Sequence, residues 1–276
     1  MVLAAFGDIG KSSKDIFTKY FKCNLINFDF KSKTDDNVDI HVQCNEDNSQ
    51  IHAAADVTIR PFEGVTLKTK VDSNNQLINE VEFKNKSFGT QHNIIGTIDQ
   101  NLSKKNLKVK NSLKKENVNA EVEMDYATKF PVTTASLVVG DDKYVAGAQV
   151  VVDTNGFKVT KHSYSVGYIG KDFETYGSIN NDKEVEWRLF QSYKQFSLGW
   201  MFGWTGNLTN TRFGVASLYK VDDNTFIKAK VDQNTHLALA YGFKPTPETL
   251  VVVSMYTPIN RNESSSSSGL TFEISN

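Results

Sequence analysis

The residue types that most often carry out catalysis or bind metals are few in this chain, and they lack the spacings that such sites need. None of the five histidines has a metal-ligand spacing to a second histidine, a cysteine or a carboxylate motif. They are His41, His52, His92, His162 and His236. Cys23 and Cys44 form no C-x₂-C pair and are expected to be free thiols. Glycine-rich phosphate loops and a G-x-S-x-G nucleophile motif do not occur in the sequence. We therefore predict no enzymatic activity, no metal site and no cofactor.

Lysine is the residue type with the clearest functional potential. Lys11 and Lys14 lie on the polar side of an N-terminal helical pattern, and other lysines alternate with apolar residues farther along the chain. The latter are Lys31, Lys68, Lys108 and Lys110. Cations gathered along a narrow aqueous path would raise the local concentration of anions, within a Debye length of about 8–10 Å. The alternative is that these lysines merely solvate an exposed face, which is the usual place of a lysine.

Two kinds of element must position these lysines, and the first is an N-terminal helix. The apolar side chains of residues 5–20 cluster on one face when they are placed at 100° per residue. They are Phe6, Ile9, Ile16, Phe17 and Tyr20, and Lys11, Lys14 and Asp15 lie opposite. Ser12 with Asp15 resembles a capping box. Because the apolar stripe is short, the helix must pack against another part of the protein to be stable.

The second kind of element is the β-strand. Apolar and polar residues alternate from about residue 26 onward, which is typical of half-buried strands. Clear runs begin at Ile26, Ala53, Val65, Leu107, Val118 and Phe196. Clusters of Asn, Asp and Gly that suit tight hairpins lie between runs, for example at 72–75, 153–156 and 180–182. A membrane strand with its turn takes about 13 residues, so the roughly 250 residues after the helix predict roughly 19 strands.

Composition leaves the membrane question open. A mean hydropathy of −0.39 is typical of a soluble protein, and no stretch approaches the length of a membrane helix. A transmembrane barrel would have the same composition, because only every second strand residue faces lipid.

The net charge of −1 does not favour a nucleic-acid partner. We expect neither a secretory signal nor a matrix-targeting peptide at the N-terminus, which carries Asp8 and Asp15 and no arginine.

Several segments, taken in order, resemble the mitochondrial outer-membrane porin family, the voltage-dependent anion channels. Residues 8–19 are very similar to the opening helix of that family, and residues 104–110 resemble one of its basic strands. Residues 204–207 and 210–214 resemble its best-marked C-terminal stretch. Gly269, Phe272 and Ile274 fit the polar–glycine–apolar–apolar sorting signal of mitochondrial barrels. The resemblance extends over nearly the whole chain.

This resemblance implies an all-β fold, a transmembrane β-barrel of about 19 strands with the N-terminal amphipathic helix inside the pore. Residues 1–24 would be the pore helix and linker, and residues 25–276 the barrel. The implied function is a voltage-gated, weakly anion-selective diffusion channel of the mitochondrial outer membrane. It would carry ions and small metabolites such as phosphate, nucleotides and organic acids. The implied partners are membrane lipid, metabolites in transit, further copies of the chain and cytosolic kinases at the rim.

The resemblance also implies roles for the lysines. Lys11, Lys14 and Lys19 match basic positions of the pore helix, and Lys31, Lys108 and Lys110 match lumen positions on strands. Lys68 has the same position in the alternation of its strand as these lysines have in theirs, so it would also face the lumen.

The sequence departs from the family at three places. Vertebrate members have a glycine-rich hinge after the helix, whereas residues 20–24 contain no glycine. Thr69 stands where some members have a membrane-facing glutamate. Some members have a Gly-Leu-Lys motif that is linked to nucleotide contact, and it aligns near residues 89–91, which read Gly-Thr-Gln here. Regulatory and nucleotide-binding roles of those positions are therefore not carried over.

Two alternative functions follow from the same patterns. The first is the related protein-import pore of the same membrane, which shares the barrel plan. The motif Asp8-x-Gly10-Lys11 at the N-terminus and the absence of a long leader argue against it. The second is a soluble β-rich binding or scaffold domain, which alternating strands alone would also allow.

Overall fold

Nineteen strands and one short α-helix make up the regular structure of the residues that the structure describes. A computed structural model describes residues 3–22, 25–34, 37–47, 50–99, 105–206, 211–233, 236–259 and 266–276. The helix α1 spans Lys11–Thr18 and follows a 3₁₀ turn at Phe6–Asp8. The first ten strands are β1 (Ile26–Lys33), β2 (Val38–Asp47), β3 (Gln50–Phe62), β4 (Val65–Asp72), β5 (Gln76–Asn85), β6 (Thr90–Asp99), β7 (Lys105–Lys114), β8 (Val118–Asp125), β9 (Val132–Gly140) and β10 (Tyr144–Asp153). The remaining strands are β11 (Lys158–Ile169), β12 (Phe173–Asn180), β13 (Glu184–Tyr193), β14 (Phe196–Thr205), β15 (Thr211–Lys220), β16 (Thr225–Asp232), β17 (His236–Thr246), β18 (Thr249–Pro258) and β19 (Ser267–Ser275).

The strands form one closed sheet, which confirms the predicted barrel of about 19 strands. Each strand pairs with its neighbours in the chain in antiparallel fashion, and β1 then pairs with β19 in parallel. Residues 26–31 of β1 lie beside residues 270–275 of β19. Strand directions alternate around the ring, so an odd number of strands must leave one parallel pair. Closure removes the free sheet edges that would otherwise expose unpaired backbone groups.

The N-terminal helix differs from its prediction in extent. The pattern predicts a helix over 5–20, but the chain breaks at Ile9 and Gly10 into the 3₁₀ turn and α1. Gly10 has a φ of 70°, a left-handed conformation that costs a glycine little. The capping box of Ser12 and Asp15 does not form, because no side chain caps the start of α1. Within the described residues, no helix is long and apolar enough to cross a membrane.

The predicted turns lie between strands, and their residue types fit the backbone. Asn75, Gly156 and Asn181 have positive φ values of 59°, 86° and 51° in the turns β4–β5, β10–β11 and β12–β13. Asparagine and glycine tolerate this conformation better than other residues do, which is why they punctuate the strands. Some residues used in the sequence analysis lie outside the described part of the chain. They are Cys23, Lys104, Asn207 and Asn210.

Candidate functional site: the barrel lumen

The position of the N-terminal segment shows which face of the sheet is the inside. Three buried apolar clusters join this segment to the wall. In the first, Leu3 and Ile9 pack on Val138, Val145 and Tyr176. In the second, Ile16 and Phe17 pack on Ala216, and in the third, Tyr20 and Phe21 pack on Ala240, Leu250 and Val252. On each strand, the residues that alternate with these wall contacts in steps of two therefore face the lumen, and α1 lies inside the barrel.

The wall is bare of side chains where the segment comes closest. A Cβ atom on Gly147 would stand 2.9 Å from both Ile9 Cδ1 and Phe6 Cδ2. A Cβ atom on Gly199 would overlap Ile16 Cγ2. The 3₁₀ turn and Ile9 thus rest directly on the backbone of β10, and the apolar face of α1 rests on that of β14. The wall provides the external support that so short a helix needs.

The opposite face of the sheet is apolar and exposed. On β14, Gly199 and Met201 face α1, so Phe196, Trp200, Phe202 and Trp204 point outward, where each is between 42% and 48% exposed. Trp187 and Phe213 pair with Phe202 on the neighbouring strands and share its face. An outward band of large apolar side chains is the lipid-facing surface of a membrane barrel.

All four strand lysines singled out in the sequence face the lumen. Residues that are paired across neighbouring strands lie on the same face of the sheet. Followed from strand to strand, the pairs place Lys31 on β1, Lys68 on β4, and Lys108 and Lys110 on β7 on the face that contacts the N-terminal segment.

Each of these lysines forms an ion pair with a lumen carboxylate. The distances from lysine Nζ to carboxylate oxygen are 3.3 Å for Lys31–Asp29, 3.1 Å for Lys68–Asp56, 2.8 Å for Lys108–Asp125 and 3.1 Å for Lys110–Glu121. These carboxylates were not among the site residues predicted from the sequence. The alternation within β1 was enough to place Asp29 on the same face as Lys31. The other three carboxylates lie on a different strand from their lysines, so those pairs depend on which strands are neighbours and in what register.

The helix lysines have different surroundings. Lys11 is exposed, and its Nζ lies 4.0 Å from Asp8. Lys14 Nζ donates a hydrogen bond of 2.9 Å to the Gly7 carbonyl. Burial lowers the pKa of Lys14, and the nearby Arg188 guanidinium acts in the same direction. A hydrogen bond with Tyr20 raises the pKa of Lys19, so this exposed lysine is charged at neutral pH. The N-terminal segment therefore brings cations into the lumen that are less fully paired with carboxylates than the strand lysines are.

His41 lies in the lumen between two carboxylates. Its Nε2 is 3.0 Å from Asp29 Oδ1, and its Nδ1 is 3.2 Å from Asp56 Oδ1. These same carboxylates contact Lys31 and Lys68, so the five residues form one continuous polar network across β1 to β4. In the part of the chain that the structure describes, no group of three His, Cys, Asp or Glu side chains is arranged to hold a metal ion.

Further cations that were not predicted from the sequence face the lumen, and three of them lie beside the N-terminal segment. Arg188 on β13 forms an ion pair with Glu186 and lines a small cavity beside Lys14. Lys228 and Lys230 on β16 donate hydrogen bonds to backbone carbonyls of the N-terminal segment. The alternation of these two lysines with Ile227, Ala229 and Val231 was the available signal.

The three residues of the sorting-signal pattern lie on β19. Gly269 pairs with Ser254, which donates to the Lys22 carbonyl, so Gly269 faces the lumen. Phe272 and Ile274 have the opposite parity and face outward. Phe272 lies beside Phe28 across the parallel seam with β1.

A closed barrel with an apolar exterior and a charged interior belongs to the class of transmembrane β-barrel pores. Barrels of 16 to 18 strands already enclose an aqueous channel, and this one has 19.

The comparisons place the chain within that class. The model of the eukaryotic porin family matches residues 3–265, so the chain belongs to the eukaryotic porins.

Its relatives are named as channels. The chain is 28% identical to the "non-selective voltage-gated ion channel VDAC1" of Rattus norvegicus over 241 residues, which cover 86% of this chain and 85% of the rat protein. It is 27% identical to the "voltage-dependent anion-selective channel" of Drosophila melanogaster over 246 residues, 87% of each protein. VDAC2 of Xenopus laevis, also named a "non-selective voltage-gated ion channel", is 28% identical over 242 residues, 86% of each chain.

Proposed function

We propose that the protein is a voltage-gated, weakly anion-selective diffusion channel of the mitochondrial outer membrane. It would carry inorganic ions and small metabolites, including phosphate, nucleotides and organic acids. The observation that carries this proposal is the two-faced closed barrel, with aromatic side chains outside and charged side chains inside. A soluble β-rich domain would bury an apolar interior instead, so this alternative accounts poorly for the outer face.

The anion preference rests on a smaller set of residues than the number of lumen lysines suggests. The paired strand lysines add little net charge, because a carboxylate lies within 3.3 Å of each of them. Lys11, Lys14 and Lys19 on the N-terminal segment have weaker carboxylate contacts, so less of their positive charge is offset. The relatives' names differ on this property, since the rat protein is called non-selective and the fly protein anion-selective.

Planar-bilayer recording of the purified full chain tests the channel itself. Large single-channel conductance that falls at high voltage of either sign is the expected result. Protein that inserts into the bilayer without conductance would contradict the proposal. Co-purification with import receptors would favour the import-pore alternative instead.

The residues proposed for selectivity are tested by charge reversal. Lys11, Lys14 and Lys19 are exchanged together for glutamate, which changes the lumen charge by about six units at neutral pH. The reversal potential in a salt gradient should then move towards cation preference, most strongly at low salt, where screening is weakest. In the matched control, three other lysines are exchanged for glutamate: Lys86, Lys115 and Lys143, which lie in turns at one rim of the barrel. If the rim variant shifts the reversal potential as much as the helix variant, these assignments are wrong.

The proposed location and partners draw on the family and on the C-terminal pattern. Gly269, Phe272 and Ile274 would act as the mitochondrial sorting signal, and residues 1–24 and 25–276 would act as pore segment and barrel. Lipid contacts the outward aromatic band. Homo-oligomers and docking of cytosolic kinases at the rim remain predictions, and crosslinking in isolated mitochondria would test both.

A further inference from the structure

The C-terminal end of the pore segment is held by a lysine that is buried inside the barrel. Lys228 on β16 is 2% exposed, although it lies on the charged lumen face of the wall. Its Nζ donates hydrogen bonds to the carbonyl oxygens of Asp15, at 3.1 Å, and Lys19, at 2.8 Å. Burying an ammonium is costly unless polar partners replace its water. Both partners belong to the N-terminal segment, so the buried position of Lys228 depends on that segment.

The neighbouring lysine makes the same kind of contact. Lys230 Nζ donates a hydrogen bond of 2.8 Å to the Phe17 carbonyl. The last carbonyls of a helix have no partner within the helix, and they carry its partial negative charge. A cation placed there donates hydrogen bonds to these carbonyls and offsets their partial negative charge. Two lysines of one strand thus cap the end of α1 from outside the helix.

Aromatic rings cover this cap. The ring centroid of Phe21 lies 4.9 Å from Lys228 Nζ and 4.7 Å from Lys230 Nζ, and that of Tyr20 lies 5.7 Å from Lys228 Nζ. Such distances suit cation–π attraction. Tyr20 has a φ of 71°, a conformation that is rare for a residue other than glycine. The chain therefore turns sharply at Tyr20, which brings its ring back over the lysine.

A third contact continues the attachment towards the barrel. The Ser254 hydroxyl on β18 donates to the Lys22 carbonyl. Tyr20 and Phe21 pack on Ala240, Leu250 and Val252 of β17 and β18. The stretch from Asp15 to Lys22 is thus attached to three consecutive strands.

We infer that Lys228 is a positioning residue that holds the C-terminal end of α1 against the wall. We call the contacts of Lys228 and Lys230 with the carbonyls of Asp15, Phe17 and Lys19 the lysine clamp. The clamp makes residues 15–22 a fixed attachment point and not a free hinge, which agrees with the absence of glycine from 20–24. Its consequence for gating rests on the proposed channel function, whereas its effect on the helix position does not.

Cysteine accessibility tests the clamp without any need for channel activity. Ser13 of α1 is fully buried, so Ser13→Cys reports release of the helix from the wall. Cys23 and Cys44 are first replaced by serine in the full chain. The protein is placed in lipid vesicles, and its reaction with a water-soluble methanethiosulfonate is timed. Lys228→Met should raise this rate at least about ten-fold, since it removes two hydrogen bonds from a charged donor.

Two controls separate release of the helix from other effects. Lys220 is exposed and lines, together with Lys228, a cavity beside α1. Lys220→Met should leave the rate within about twofold, as expected for an exposed substitution. A second probe, Ser112→Cys, lies buried on the lumen side of β7. General loosening of the barrel would raise the rates of both probes, whereas loss of the clamp raises only that of the Ser13→Cys probe.

The outcomes decide the inference in either direction. A selective rise at the Ser13→Cys probe in Lys228→Met supports the clamp, and in bilayers the same variant should then close at lower voltage. Equal rates of this probe in Lys228→Met and Lys220→Met would overturn it, whether or not the protein conducts. If Lys228→Met fails to fold, Lys230→Met takes its place with a smaller expected rise, because Lys230 contributes one of the three hydrogen bonds. No rise in that variant would equally overturn the inference.

Discussion

At the scale of single residues, the lumen charges work in pairs. The side chain of Glu121 is 13% exposed, and its Oε2 lies 3.1 Å from Lys110 Nζ, so the two side chains largely neutralise each other. Lys68 and Lys108 have equivalent carboxylate partners in Asp56 and Asp125. The number of lysines on a barrel wall is therefore a poor guide to its selectivity, because each charge must be considered with the neighbours that the register gives it.

Removing one carboxylate of a pair should strengthen the anion preference. Glu121→Gln keeps the shape of the side chain and removes the carboxylate that forms the ion pair with Lys110. The ratio of anion to cation permeability should rise by less than tenfold, since one charge at 4 Å in water is worth about 1 kcal/mol. Reversal potentials in a gradient of dilute salt measure this ratio.

The control for Glu121→Gln is Glu63→Gln. Glu63 in the β3–β4 turn also pairs with a lysine, Lys86 of the β5–β6 turn, at 2.9 Å, but both side chains are exposed. The surrounding water screens that pair, so its loss should hardly change the permeability ratio. An unchanged ratio in Glu121→Gln would show that the wall pairs do not control the ions in transit.

At the scale of elements, α1 and the wall are complementary in shape. An eight-residue helix is unstable by itself, and here it lies on a track of wall positions with little or no side chain. Gly199 lies under Ile16, and Ala216 lies under Phe17. The amphipathic pattern predicted that the helix needs support, but the smooth track that provides it comes from strands far away in the sequence.

A methyl group on that track should displace the helix. In Gly199→Ala the new Cβ atom would overlap Ile16 Cγ2, and relieving such overpacking typically costs about 1–3 kcal/mol. The reaction rate of the Ser13→Cys probe should rise accordingly. Gly203→Ala is the matched control on the same strand and face, because its nearest neighbour, Arg212 Cβ, would be 3.4 Å away. Equal rates in the two variants would contradict the contact between helix and wall.

The last strand carries a second prediction at this scale. Phe272 belongs to the proposed sorting signal and faces outward, so Phe272→Ala should reduce assembly into the outer membrane of isolated mitochondria several-fold. Phe213→Ala removes an outward phenylalanine outside the signal, and Phe28→Ala removes the seam partner of Phe272. Both should assemble normally. A defect in Phe28→Ala equal to that in Phe272→Ala would assign Phe272 to closure of the barrel and not to sorting.

At the scale of the whole molecule, stability depends on the difference between the two faces. Trp200 lies midway along β14 on the outward face. An arginine at the midplane of the lipid face costs about 2–4 kcal/mol, so Trp200→Arg should lower the free energy of unfolding in lipid vesicles by that amount. Thr134→Arg places the same charge in the lumen opposite Glu123 and should cost less than about 0.5 kcal/mol. Denaturant titrations followed by circular dichroism would compare the variants, and equal costs would contradict the assignment of the faces.

The sequence by itself determined the kinds of element and their number. The period of two and the Asn, Asp and Gly turns predict about 19 strands, and the period of 3.6 predicts an amphipathic N-terminal helix. Both signals are local, since each depends on residues within one turn or one strand. The same local signals could not show that Trp200 and Trp204 face outward, because alternation separates two faces without naming either.

Only the tertiary structure decided which face is the lumen, and it did so through the contacts of the N-terminal segment with Gly147, Gly199 and Ala216. It also decided that the strand lysines are paired and that Lys228 holds the pore segment. The physical reason is the same in each case. Lys228 lies more than 200 positions from the carbonyls it contacts, and such distant partners are set by the register and closure of the sheet.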